Sequence, residues 1–126
     1  MIARRFPIRF DRWYGVLSRL CLLLPSQSYV DVDPAEVAVK MGWGFRARFP
    51  RSAVSGAAPA GRRYWSRGVH GFFGTWLVNG SGDGIVSVAL APPQRARVMG
   101  FPVRLRELRV SVEDPAAFIE AVRNGG

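Results

Sequence analysis

The sequence predicts a mainly β domain closed by a single terminal helix, and three observations carry that prediction. Leu108, Val110 and Val112 alternate with Arg109 and Ser111, the period-2 pattern of a half-buried strand. Asp114-Pro115 then supplies a helix N-cap and a proline at the first helical position, ahead of one short amphipathic helix. Upstream, short alternating runs separated by Gly- and Pro-containing turns fill most of the chain. Strands followed by one helix suggest a small barrel or sandwich whose apolar opening the helix plugs.

The 126 residues are one domain by size, enough to bury a core without staples. Hydrophobic residues at 48% and charged residues at 21% are a globular composition rather than a disordered one. Domain organisation follows as an N-terminal strand and helical extension over 1–27, strands over 28–112 and a capping helix over 114–123. No linker, repeat or second domain is evident.

Each element has its own signal. Phe6, Ile8 and Phe10 alternate as a first strand. Trp13, Leu17, Leu20 and Leu24 recur at helical spacing after Asp11, and Pro25 ends the segment. Tyr29–Val32 reads as a strand and Asp33-Pro34 as a turn. From Val37 to Phe49 every odd position is apolar or small. The favoured reading is a hairpin turning at Gly42-Trp43-Gly44, with one long bent strand as the other reading.

Residues 52–63, rich in Ala, Gly and Pro, read as a loop, and Tyr64–Val69 as a weak strand. Gly71-Phe72-Phe73-Gly74 reads as an apolar corner. Thr75–Val78 and Ile85–Leu90, joined by the glycine-rich turn from Asn79 to Gly84, form the clearest hairpin signal. Pro92-Pro93 is expected to end that strand, and Arg95–Met99 to form a short one. Val103 and Leu105 are odd whereas Leu108, Val110 and Val112 are even, so a bulge or turn is expected near Arg106-Glu107. Phe118 and Val122 share one face of the final helix, which Asn124-Gly125-Gly126 stops.

Three segments together resemble uncharacterised bacterial pleckstrin-homology-like proteins: Gly42-Trp43-Gly44-Phe45-Arg46-Ala47-Arg48-Phe49-Pro50-Arg51, the stretch from Trp76 to Leu90, and Val110-Ser111-Val112-Glu113-Asp114-Pro115 with its helix. The resemblance implies a bent antiparallel sheet or barrel of about seven strands with a C-terminal capping helix. It implies no enzyme activity and no cofactor. Domains of this shape bind phosphoinositides, peptides or other proteins, and many bind no lipid, so the fold alone does not choose.

Charge is the second source of functional expectation. The net charge is +9, from 18 basic and 9 acidic residues, and Lys40 is the single lysine among the basic ones. Such arginine bias accompanies high-GC bacterial genomes. The charge is nonetheless physical and attracts anionic partners. The resemblance implies that a lysine near the end of one strand and an Arg-x-Arg on the next grip phosphates; Lys40, Arg46 and Arg48 stand at that spacing, and Arg51 joins the set. All of Lys40, Arg46 and Arg48 are even-numbered and so share the face opposite Val39, Phe45 and Ala47. Guanidinium forks and an ammonium point charge suit phosphate oxygens. An ordinary solvated strand face is the plainer account, because Arg95-Ala96-Arg97 and Arg104-Leu105-Arg106 repeat the pattern as arginine-rich composition would.

Other chemistry is sparse. His70 is the single histidine, and a small ligand-binding barrel or hydrolase using it, with Asp83, Glu113 or Asp114 as partner, is the alternative function. Cys21 is the single cysteine, set among leucines, so no internal disulfide forms and a buried thiol is expected. One His and one Cys without ligand spacing do not suggest a metal site. Arg62, Arg63 and Arg67 interleave with Tyr64 and Trp65, but no nucleic-acid consensus accompanies them and nucleic acid is not expected as partner. The apolar stretch from Val16 to Leu24 is interrupted by Arg19 and falls short of the roughly 18 residues of a membrane span. The expectation is a non-catalytic adaptor for a protein or an anionic membrane surface, cytoplasmic or peripheral at the membrane. A third possibility is an oligomerisation domain in which the residues up to Leu24 pack against a second copy.

Overall fold

The computed structural model describes residues 4–9, 28–42, 44–60, 68–72 (backbone only), 74–79 and 84–124. Nine strands and one α-helix occur among them: β1 (Arg4–Pro7), β2 (Ser28–Val32), β3 (Glu36–Met41), β4 (Phe45–Pro50), β5 (Val54–Pro59), β6 (Gly68–Phe72), β7 (Thr75–Asn79), β8 (Ile85–Val98), β9 (Phe101–Ser111) and α1 (Pro115–Asn124). The expected N-terminal helix over 11–24 lies outside the described residues, as do Cys21 and the Arg62–Arg67 segment.

The strands form one sheet in the order β1-β2-β3-β4-β8-β9-β7-β6, with β5 pairing β8 beside β4. The sheet curls into an open half-barrel. At one end, Ile8 bridges Val112, and the Glu113 amide donates to Pro7, so the end of β1 returns to the end of β9.

Alternation dictates the layers. Val37, Val39, Met41, Phe45, Ala47 and Phe49 all point inward and are buried, and Ala38, Lys40, Arg46 and Arg48 between them face out. The hairpin reading of this segment is the one observed: Met41 pairs with Phe45, and Gly42 takes the positive φ (53°) that the turn requires. At the β2–β3 turn the Asp33 carboxylate accepts from the Ala35 and Glu36 amides, both at 2.7 Å. Asp114 caps α1 as expected, accepting from the Ala117 amide through Oδ1. Phe118, Ala121 and Val122 are buried, and Phe118 meets Phe6 edge-to-face at 5.4 Å, so the helix fills the core against β1 as well as packing on β5 and β8.

Four expectations give way. Residues 52–63 do not begin as a loop: a 3₁₀ turn, Arg51–Ala53, leads into β5, which pairs with Val86–Leu90. Small side chains give β5 little strand signal, but β8 supplies its ladder and α1 covers it. Gly71 and Phe72 belong to β6 rather than to a corner.

β7 and β8 do not pair with each other. β9 lies between them, parallel to β7 and antiparallel to β8. Local alternation cannot tell a neighbouring strand from the next but one. Pro92-Pro93 does not end β8 either. The β8–β9 register shifts between Ala89 and Gln94, and the prolines, which have no amide to donate, occupy that irregularity. The parity slip in β9 is present: the Arg106 and Glu107 amides both donate to the Gly74 carbonyl, at 2.7 and 3.2 Å.

Two predictions follow from this packing. Phe118→Ala is expected to lower stability by about 3–5 kcal/mol in urea unfolding; a loss well under that range would show that the helix does not fill the core. The two turn amides hold the Asp33 carboxyl below its ordinary value, the Glu36 amide most strongly. A depressed folded pKa means its contribution is complete above the unfolded value and is lost as pH falls through the folded one. The wild type should therefore lose stability below about pH 4 more steeply than Asp33→Asn, which keeps the acceptor but does not titrate.

Candidate functional site: a cationic strand face

The outward residues of four neighbouring strands place basic side chains in register. Lys40 on β3 pairs with Arg46 on β4, and Arg46 pairs with Arg97 on β8. Two residues further along the strands, Arg48 on β4 and Arg95 on β8 line one groove, and Arg95 pairs with Arg104 on β9. Lys40, Arg46 and Arg48 thus share one face, as the alternation requires. Arg95, Arg97 and Arg104 belong to it too. Three arginines of the Arg-x-Arg runs that read as composition alone in the sequence build the other half of the same surface, and the fourth, Arg106, lies against Gly74 instead. What joins them is the pairing of β4 with β8, which no local pattern encodes.

Three contiguous shallow depressions cross this face. One, of about 200 Å³, is lined by Tyr29, Lys40, Arg46 and Arg48. The next, of about 220 Å³, lies between Arg46, Arg48, Arg95 and Arg97. The third, of about 510 Å³, runs from Pro93 and Arg95 to Pro102 and Arg104.

Among the described residues, acidic side chains reach the face at Arg48 and its margin at Arg5. Arg5 clamps Asp31 with two bonds of 2.8 and 2.9 Å and lies over the Tyr29 ring at 3.8 Å. The hydrogen bond to Asp31 raises the Arg5 pKa above its ordinary value. Arg48 reaches Glu36 at 3.3 Å, but both side chains are well exposed and the pair is weak. Among the described residues, Lys40, Arg46, Arg95 and Arg104 have no acidic partner. Arg97 donates to the Gly100 carbonyl at 3.0 Å. Like charges directly opposite on paired strands repel, so Lys40, Arg46 and Arg97 form a destabilising row.

Arg51 is placed elsewhere. Its Nη1 donates to the Val122 and Arg123 carbonyls at 3.4 and 3.0 Å, and its Nε to the Pro34 carbonyl at 3.1 Å. A cation on the last carbonyls of a helix satisfies orphan acceptors and complements the helix dipole. The guanidinium is used in holding α1 and the β2–β3 turn together, away from the groove.

His70 stands on β6, paired with Leu77 of β7. Its side chain and Asp83 lie outside the description, the Asp114 carboxylate caps α1, and Glu113 is exposed. Ser87, Glu107 and Arg109 form a half-buried cluster on the β8–β9 surface: Ser87 Oγ donates to Glu107 Oε2 at 3.0 Å, and Arg109 pairs with the same oxygen. Among the described residues no three His, Cys, Asp or Glu side chains are grouped to hold a metal ion, and no helix is long and apolar enough to cross a membrane. Of the tryptophans, Trp76 packs against the core and donates to the Arg104 carbonyl at 3.2 Å; Trp13, Trp43 and Trp65 lie outside the described residues.

Sequence reasoning missed Met99 and Phe101, which stand exposed at the β8–β9 turn. Their signal was an apolar pair flanking Gly100 between two Arg-x-Arg runs.

If the cationic rows oppose folding, Arg46→Gln should raise stability by about 0.2–1 kcal/mol at low salt. The gain should shrink at high salt as screening removes the repulsion. Thermal melts of both proteins at two ionic strengths check this; a loss of stability would mean that Arg46 is held by favourable contacts.

Comparison with known protein-family models, curated proteins and solved structures finds no match to this chain.

Proposed function

We propose that the protein is a non-catalytic binding module whose working surface is the face built by Lys40, Arg46, Arg48, Arg95, Arg97 and Arg104, and whose partner presents a surface of several negative charges. The observation that carries this reading is the cross-strand row Lys40–Arg46–Arg97, with Arg95–Arg104 beside it, free of acidic partners among the described residues. A sheet that sets like charges opposite one another gives up stability, and such departures from local consistency concentrate at functional sites. The groove is shallow and open, which suits a surface rather than an enclosed small molecule. Guanidinium groups at strand spacing can each take two oxygens of a phosphate or carboxylate. The resemblance to pleckstrin-homology-like proteins points the same way, towards binding without catalysis, with the cytoplasm or the periphery of a membrane as its place.

Net charge alone would also bind polyanions, so the test compares variants of equal charge. Arg46→Gln with Arg104→Gln removes two cations from the face, and Arg4→Gln with Arg123→Gln removes two from elsewhere. Affinity for inorganic polyphosphate at low salt should fall about fivefold per charge in the first variant. In the second it should stay near wild type. An equal fall in both would overturn the reading in favour of bulk charge. Arg51→Ala should melt earlier and bind polyphosphate as the wild type does.

A further inference from the structure

The tip of the β8–β9 hairpin closes the end of this face with different chemistry: by alternation Phe101 stands with Val103 and its partner on β8 on the core side of the sheet, while Arg97 faces out beside Arg46. Val98 and Phe101 form its last pair, and Met99-Gly100 turns the chain with φ of 50° and 85°. Positive φ at both central positions belongs to the tight type I′ hairpin turn, where Asn or Gly is usual. A methionine there is held in a region that side chains other than Gly, Asn and Asp seldom enter. Met99 is 57% exposed and Phe101 74%, the large apolar side chains that the described surface leaves in water. They are not loosely presented. The Met99 amide donates to the Gly44 carbonyl at 3.0 Å, fixing the tip beside the β3–β4 turn, and Arg97 ties back the Gly100 carbonyl.

Strand geometry orders the groups by depth. The row Arg97, Arg46 and Lys40 stands one residue behind the last pair, about 3.4 Å along the strand. The row containing Arg95 and Arg104 stands about 7 Å further back. Apolar side chains lead, one row of cations follows within a few ångströms, and a second row lies behind it. A phospholipid bilayer presents the complementary order: acyl chains, then phosphates, then the charged surface. A nucleic acid offers the charge but no apolar phase beneath it, and an acidic protein with an apolar patch is the partner left if vesicles do not bind.

Resting on the cationic-face reading above, we propose that the Met99–Phe101 tip enters the headgroup–acyl boundary of an anionic phospholipid bilayer while Arg97, Arg46 and Lys40 contact lipid phosphates. Exposure of two apolar side chains on a rigid turn then has a use, because little ordering is needed when the tip enters.

The test uses vesicles of phosphatidylcholine alone and of phosphatidylcholine with phosphatidylglycerol, in sedimentation with the full chain. The tip variant is Met99→Gly with Phe101→Ser. Glycine suits the positive φ at position 99 and both sites are exposed, so the fold should persist, as circular dichroism will show. A second variant, Met99→Leu with Phe101→Leu, keeps the apolar volume. Wild type should bind the phosphatidylglycerol vesicles and raise the surface pressure of a monolayer of the same lipid. The Gly/Ser variant should lose about tenfold or more in vesicle affinity and most of the pressure rise, with polyphosphate affinity unchanged. The Leu/Leu variant should retain vesicle binding. Equal vesicle binding by wild type and the Gly/Ser variant would overturn tip insertion while leaving the cationic face in place. Wild type that binds polyphosphate but no vesicle would rule out the bilayer as partner. Binding to neither would overturn both readings.

Discussion

The backbone ladder of β8 sets the position of every other strand. One edge of it carries β9 along most of its length, and through β9 the β7–β6 pair. The other edge carries β5 on its first half and β4 on its second, and through β4 the strands β3, β2 and β1. The break in register at Pro92-Pro93 divides these halves. Ladder hydrogen bonds are absent where the chain has no donors to give, so the irregularity costs little there and lets one long strand serve two surfaces. Its first half lies beside β5 and under the helix, and its second half turns Arg95 and Arg97 out beside Arg46.

The inner and outer faces of this sheet obey different rules. Inside, alternation delivers an apolar layer that the helix completes through Phe118, and burial dominates the energetics. Outside, the same alternation places cations opposite cations. Each such pair is a small loss against a core of this size, so the fold tolerates the array without an acidic residue beside every base. Acidic side chains are used where they organise the chain instead: Asp33 at a turn, Asp114 at a helix start, Asp31 at the sheet margin.

What could be read from the sequence was local. The β3–β4 hairpin was legible because Gly42 and Gly44 interrupt a strict alternation, the β9 irregularity because the parity of its apolar residues changes, and the helix because Asp114-Pro115 opens it. Partnership between distant strands was not legible. Two adjacent alternating runs, at Thr75–Val78 and Ile85–Leu90, pointed to a hairpin, yet β9 separates them, since a strand's preference for its partner depends on faces assembled only in three dimensions. β5 was hidden by its small side chains. The candidate site was half legible for the same reason: Lys40, Arg46 and Arg48 share a hairpin, whereas Arg95, Arg97 and Arg104 join them across the β4–β8 seam. Arg51 looked like its neighbours in sequence and differs because the helix end comes to meet it.

That meeting has a consequence for how the molecule opens. The Arg51 guanidinium reaches both the turn at Pro34 and the carbonyls of Val122 and Arg123, while its own amide donates to Ala35. Fraying the last turn of the helix therefore releases a brace on the β2–β3 turn, and loosening that turn removes a cap from the helix. Segments 70 to 90 residues apart in the chain become one cooperative unit of local unfolding, so the C-terminal end does not fray independently of the sheet it covers.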